Sequence, residues 1–174
     1  DTDGQPTKLF YQFLAGQQQF LPAAMCLLAP YVNSYRRLVP NGAAPINVEW
    51  GNDNRSCGLR VPISPDSARR VENRLPGSDS NPYLAIAASL ACGYLGMKNK
   101  LEPRAAVVGN AYRNSHQLPR GLLEALTDFE ESKPLHNILG PRFAHLYLQL
   151  KRSEFEEFMR VISPWEREHL LLSV

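Results

Sequence analysis

From Tyr83 to Met97 the chain reads YLAIAASLACGYLGM, a run without one charged residue and apolar on nearly every side of a helix. A helix of that kind has no polar face to offer water, so it reads as buried, with the rest of the chain folded around it. It falls short of the roughly 18 apolar residues that a membrane span needs. Its start is written into the sequence. Ser80-Asn81-Pro82 supplies a capping side chain and a proline in the first turn, where the missing N–H has no helical partner to lose. The 174 residues, 44% of them hydrophobic, suffice for one sizeable core.

Other helices are marked by apolar spacing. Phe10, Phe13, Leu14, Phe20, Leu21, Met25 and Leu28 recur at helical intervals between Lys8 and Leu28, and Pro22 kinks or splits that segment. Pro119–Glu131 is amphipathic through Leu122, Leu123, Leu126 and Phe129. Pro141–Ile162 repeats the pattern with Phe143, Leu146, Leu150, Phe155, Phe158 and Val161, and a short helix follows at Pro164–Leu171. After a loop punctuated by Pro40, Gly42 and Pro45 come three extended candidates, Ile46–Trp50, Arg55–Val61 and Arg69–Leu75, for which antiparallel pairing is the natural expectation. The fold class is α+β: a small antiparallel sheet packed with helices, then a helical C-terminal part.

Composition excludes more than it selects. A net charge of +2 with 21% charged residues gives no cause to expect nucleic acid, and no membrane segment or signal peptide is visible. Cys26, Cys57 and Cys92 are odd in number and widely spaced, which fits buried thiols in a reducing cytoplasmic setting. His116, His136, His145 and His169 lack metal-ligand spacing. The opening Asp1-Thr2-Asp3-Gly4-Gln5-Pro6 is turn-like and has no initiator Met, which reads as a fragment or a processed terminus.

Chemistry concentrates in Arg69-Arg70-Val71-Glu72-Asn73-Arg74. In a strand, alternation puts Arg70, Glu72 and Arg74 on one face, with Val71 and Leu75 on the other. Guanidinium forks suit phosphate or carboxylate ligands, and a hard oxygen between them can ligate Mg²⁺ or Mn²⁺. Arg37, Arg55 and Arg60 add cations upstream. The same residues equally suit a solvated sheet face carrying weak ion pairs. Residue chemistry leaves both readings open.

Five blocks in order and register carry a resemblance. Asn33–Pro40 (NSYRRLVP), Asn54–Ser56 (NRS), Leu59–Pro62 (LRVP), Ala68–Arg74 (ARRVENR) and Asn81–Leu84 (NPYL) closely resemble glutamine synthetase. The ending Val161–Leu171 (VISPWEREHLL) resembles the γ-glutamylputrescine, or γ-glutamylpolyamine, synthetase branch. The resemblance implies an ATP-dependent glutamate–amine ligase working through a γ-glutamyl phosphate. It implies glutamate binding at Arg37 and Arg74, ATP and phosphoryl contacts at Arg55, Arg60 and Arg70, with Arg55 catalytic, and a divalent metal, Mg²⁺ or Mn²⁺, at Glu72. It further implies a homo-oligomeric ring, hexamer or dodecamer. Residues 1–105 would be the second half of the catalytic domain and residues 106–174 its C-terminal helical region.

Departures from the family pattern sharpen the expectation. Where glutamine synthetases carry a glutamate after the Leu-Val-Pro block this chain has Ala43, and Ser67 replaces a common lysine. The family's histidine-bearing glycine-rich segment and remaining metal glutamates have no counterpart in these residues, so the chain alone is expected to be inactive. Ala43 removes a charge useful for deprotonating ammonium and opens space, which favours a primary amine such as putrescine or a longer polyamine. Ordinary glutamine synthetase and an inactive paralogue are the alternatives. Exposed apolar surface is expected at the first helix and at Leu170–Leu172.

Overall fold

The computed structural model describes residues 5–114 and 116–171. It is α+β, with seven α-helices and one three-stranded sheet among the described residues. Helix α1, Lys8–Phe20, begins where the Thr7 hydroxyl accepts the Phe10 N–H at 3.2 Å. Pro22 splits the segment as its chemistry requires. A 3₁₀ turn at Pro22–Ala24 intervenes before α2, Met25–Leu28. A further 3₁₀ helix, Val32–Arg37, leads into the loop that carries Ala43.

Helix α3, Pro82–Lys98, starts on the Asn81 side chain, which accepts the N–H groups of Tyr83 and Leu84. It packs against α1 through glycines. A Cβ on Gly96 would lie 2.1 Å from the Gln12 carbonyl oxygen, and one on Gly16 would lie 2.2 Å from that of Cys92. The two backbones therefore touch. The expectation of a helix buried all round needs correction. Ala85, Ala88, Ala91, Cys92 and Leu95 are buried, while Tyr83, Ile86, Leu90 and Tyr94 form an exposed stripe. Exposed apolar surface is found there, at Trp165, Leu170 and Leu171, and on the first turn of α1 at Leu9, while most of the second half of α1 is buried. Leu172 lies outside the described residues, as do Asp1–Gly4 of the turn-like opening.

The strands are shorter than the sequence suggests: β1 is Trp50–Asn52, β2 Leu59–Val61 and β3 Glu72–Asn73. β2 and β3 pair antiparallel, but β1 and β2 pair parallel, which overturns the expectation of a wholly antiparallel sheet. Three-residue strands are only about 7 Å long, so a short loop can return the chain to the starting end without a helical crossover. Asn47, fully buried, organises that return. Its amide oxygen accepts the N–H groups of Glu49 and Gly58, both at 3.1 Å, and its nitrogen donates to the Ser56 carbonyl. Asp53, with φ 49°, makes the turn out of β1.

Residues beyond α3 run beside β1, where Val107 N–H donates to the Trp50 carbonyl at 2.8 Å. A buried polar network fixes them. The Glu49 carboxylate accepts Gln117 Nε2 at 2.6 Å and faces Arg104 Nε at 3.3 Å, and Trp50 Nε1 donates to the Arg104 carbonyl. Glu49→Ala is expected to cost about 2 kcal/mol, because it strands the Gln117 amide while the half-exposed Arg104 recovers water. A denaturant midpoint within error of native would contradict that.

The C-terminal part comprises α4 (Leu122–Glu131), α5 (Lys133–Leu139), α6 (Pro141–Met159) and α7 (Pro164–Leu170). Helix α5 has no counterpart in the sequence reading; seven residues containing Pro134 are too few to show a period. Gly140, at φ 98°, makes the break before α6 that an L side chain would resist. Tyr147 of α6 donates to the Cys26 carbonyl at 2.6 Å, tying this part to α2. The core is continuous across these elements, through Leu14, Leu28, Leu59, Leu75, Phe129 and Leu135. Among the described residues no helix is long and apolar enough to cross a membrane. All three cysteines are free and buried.

Candidate active site

The sheet assembles a chain of alternating charge. Register places Arg60 of β2 directly opposite Glu72 of β3, and Arg60 Nη1 lies 2.5 Å from Glu72 Oε2. Alternation then puts Arg74 on the same side, with its Nε 3.3 Å from Glu72 Oε1. Leu75 is buried in the core and Val71 packs against it, as the strand periodicity requires. Arg74 is fixed further by donating Nη1 to the Arg55 carbonyl and its backbone N–H to the Gly58 carbonyl.

Asp53 completes the row. Its Oδ1 accepts both Nε, at 3.0 Å, and Nη2 of Arg60. These two bonds, then the one to Glu72, hold the Arg60 guanidinium above its ordinary pKa. Sequence reasoning did not single out Asp53. It precedes the Asn54-Arg55 block by one position, and only the parallel β1–β2 pairing brings it to Arg60.

The other expected site residues lie around this row. Arg55 is exposed and lines a cleft of about 460 Å³ with Asn52, Asp53, Asn54, Val107 and Gly109. Arg70 falls outside β3, so the expected three-residue face is not formed; its guanidinium donates to the Ala68 carbonyl at 3.0 Å on an exposed turn. A two-residue strand cannot hold a face that three side chains were expected to share. Arg37 is half-buried beyond the sheet. Its Nη2 donates to the Leu75 carbonyl and its buried Nε has no hydrogen-bond partner. Burial lowers its pKa from the usual value, and Asp79 acts in the opposite direction.

Ala43 is exposed in a loop that Tyr112 pins. The Tyr112 hydroxyl bridges the carbonyl oxygens of Gly42 and Ala44, at 2.7 and 3.0 Å. Tyr112 lies far along the chain, and no local signal pointed to it. Cys57, behind Arg74, has its thiol pushed up to about 11 by burial.

Glu72 suits one ligand of a hard divalent ion: it is an oxygen donor whose side chain is 38% exposed. Among the described residues no group of three or more Asp, Glu, His or Cys could hold a metal by itself. A hard ion such as Mg²⁺ can be held by one or two carboxylates together with phosphate and water, without a closed protein cage.

Comparison with known proteins places these observations. Residues 1–170 match the family model described as glutamine synthetase, catalytic domain. The chain is 38% identical over 172 residues to gamma-glutamylputrescine synthetase of Escherichia coli (strain K12), covering 98% of this chain and 36% of that protein. It is also 38% identical over 170 residues to glutamate–isopropylamine ligase of Pseudomonas sp., covering 95% and 37%. A solved GmaS/ADP complex superposes with a TM-score of 0.84 at 31% identity, over 98% of this chain and 41% of that one. The chain thus spans well under half the length of the relatives it matches. It belongs to the glutamine synthetase catalytic-domain family.

Proposed function

We propose that this chain supplies the phosphate- and glutamate-binding half of an ATP-dependent glutamate–amine ligase whose amine is putrescine or another polyamine. The observation that carries the reading is the Asp53–Arg60–Glu72–Arg74 row, whose carboxylates are partly exposed while its arginines are largely covered, beside the Arg55 cleft. In the reaction the glutamate γ-carboxylate attacks the terminal phosphorus of ATP and ADP leaves. The amine then attacks the acyl carbon, loses a proton, and phosphate leaves.

Charge on phosphoryl oxygens has to be met by fixed cations already in place, which leaves little covalent work to the protein. Arg55, Arg60 and Arg70 are the groups that would meet it, Arg55 nearest the transferred phosphoryl. Arg37 and Arg74 would hold glutamate through its carboxylates. A divalent ion held by Glu72 would add further neutralisation of the phosphates. The full-length protein would be a homo-oligomeric ring in the cytoplasm, with residues 1–105 and 106–174 as successive parts of one catalytic domain.

The amine follows from Ala43. A methyl group in that exposed loop gives no carboxylate to capture and deprotonate ammonium, and it leaves room for a longer chain. The names of the two relatives, ligases for putrescine and isopropylamine, agree with an acceptor larger than ammonia. Full-length enzyme is expected to show a higher kcat/KM for putrescine than for ammonium, and Ala43→Glu to narrow the gap. Preference for ammonium by about tenfold or more would overturn the polyamine assignment.

A further inference from the structure

Arg60 is held from two sides by groups with different tasks. Its Nε and Nη2 meet Asp53 Oδ1, while Nη1 alone reaches Glu72 Oε2. A guanidinium has five N–H groups in a rigid fork, so these contacts leave N–H groups of Nη1 and Nη2 for an anion. Glu72 is shared in the same way, one oxygen towards Arg60 and the other towards Arg74.

The backbone at Asp53 is held in an uncommon conformation. Among the described residues it is one of three non-glycine residues with positive φ. Its N–H donates to the Val61 carbonyl at 2.8 Å, and the next side chain, Asn54, is tied to the carbonyls of Val107 and Gly109. A left-handed residue kept in place by its surroundings beside a reactive cluster is the pattern expected of a functional constraint.

We propose that Asp53 is a positioning residue: it restrains the Arg60 guanidinium to Glu72 Oε2, so that Oε1, which faces Arg74 Nε at the longer distance of 3.3 Å, stays available to a divalent cation. This rests on Glu72 being a metal ligand, as argued under the proposed function. Without the Asp53 charge only the longer Arg74 contact to Oε1 opposes the fork-on-fork pairing that a guanidinium and a carboxylate prefer. Arg60 would then close on both oxygens of Glu72 and compete with the cation as a resident counter-ion. Asp53 acts through Arg60, without itself touching the metal.

The test is Mn²⁺ binding to the full-length protein without nucleotide or glutamate, read by electron paramagnetic resonance of the free ion. Asp53→Asn keeps the shape and tolerates the left-handed backbone while removing the charge. It is expected to weaken Mn²⁺ binding by about fivefold, and to have no such effect in an Arg60→Gln background, where no guanidinium remains to misplace. Should Asp53→Asn not fold, Asp53→Gly reads the same quantity, since glycine accepts that backbone freely. Unchanged Mn²⁺ affinity in Asp53→Asn would overturn the proposal, as would equal weakening in both backgrounds, which would make Asp53 a direct ligand. Glu72→Gln separates the two layers. Native Mn²⁺ affinity in that variant overturns the metal reading and the Asp53 role with it, whereas lost affinity beside an unaffected Asp53→Asn overturns the Asp53 role alone.

Discussion

Glu72→Gln in the full-length enzyme is expected to lower kcat for ligation by at least about a hundredfold at ordinary Mg²⁺, while leaving the protein folded. The two halves of that expectation have separate causes. Stability changes little because the Glu72 side chain is 38% exposed, and partly exposed ion pairs contribute of order 0–1 kcal/mol each. Activity collapses because the neutral amide is a poor ligand for a hard divalent ion, and metal stabilisation of phosphoryl charge contributes several kcal/mol to the barrier. A loss of about 2.7 kcal/mol is already a hundredfold in rate. Arg60 and Arg74 also lose the carboxylate that orders them. ADP release measured across a Mg²⁺ titration, beside a thermal melt, checks both halves. Near-native turnover would remove Glu72 from the metal site.

The largest expected effect on folding is at the crossing of α1 and α3. Gly96→Val would place a Cβ 2.1 Å from the Gln12 carbonyl oxygen and 2.5 Å from Gly16 Cα, and these are backbone atoms that no rotamer change can move. Replacing glycine within a helix normally gains up to about 1 kcal/mol in propensity for alanine, and less for valine. Overpacking costs about 1–3 kcal/mol where side chains can adjust, and more where they cannot. The clash wins. A loss above about 3 kcal/mol, or roughly 6–12 °C in Tm, is expected. Gly121→Ala is the control, since its added Cβ has nothing within 4 Å and its φ of −157° suits any residue. Equal Tm values for the two variants would mean that α1 and α3 do not cross as described.

Much of the fold was legible because its signals are local. The start of α3 depends on Asn81 reaching N–H groups two and three residues on, and the split at Pro22 on one missing donor. The pairing of Glu72 with Arg74 needed only strand alternation. The family could be read from blocks whose order and spacing are themselves sequence properties, and residues 1–170 match its model.

What the sequence withheld depends on contacts between distant segments. That Tyr83–Met97 is apolar all round says how much surface wants cover, but not which stripe receives it. Packing of Gly16 against Gly96 chose one face, and Tyr83, Ile86, Leu90 and Tyr94 stayed exposed. The parallel β1–β2 pairing follows from the buried Asn47 amide and the left-handed turn at Asp53, neither of which alters the strand pattern itself. Arg70 shares the strand periodicity of Glu72, yet the ladder ends before reaching it. Asp53, absent from the sequence reading, meets Arg60 through that unforeseen register. Periodicity assigns each side chain to a face of its own element, whereas a site is made by the pairing of elements, and long-range hydrogen bonds decide that pairing.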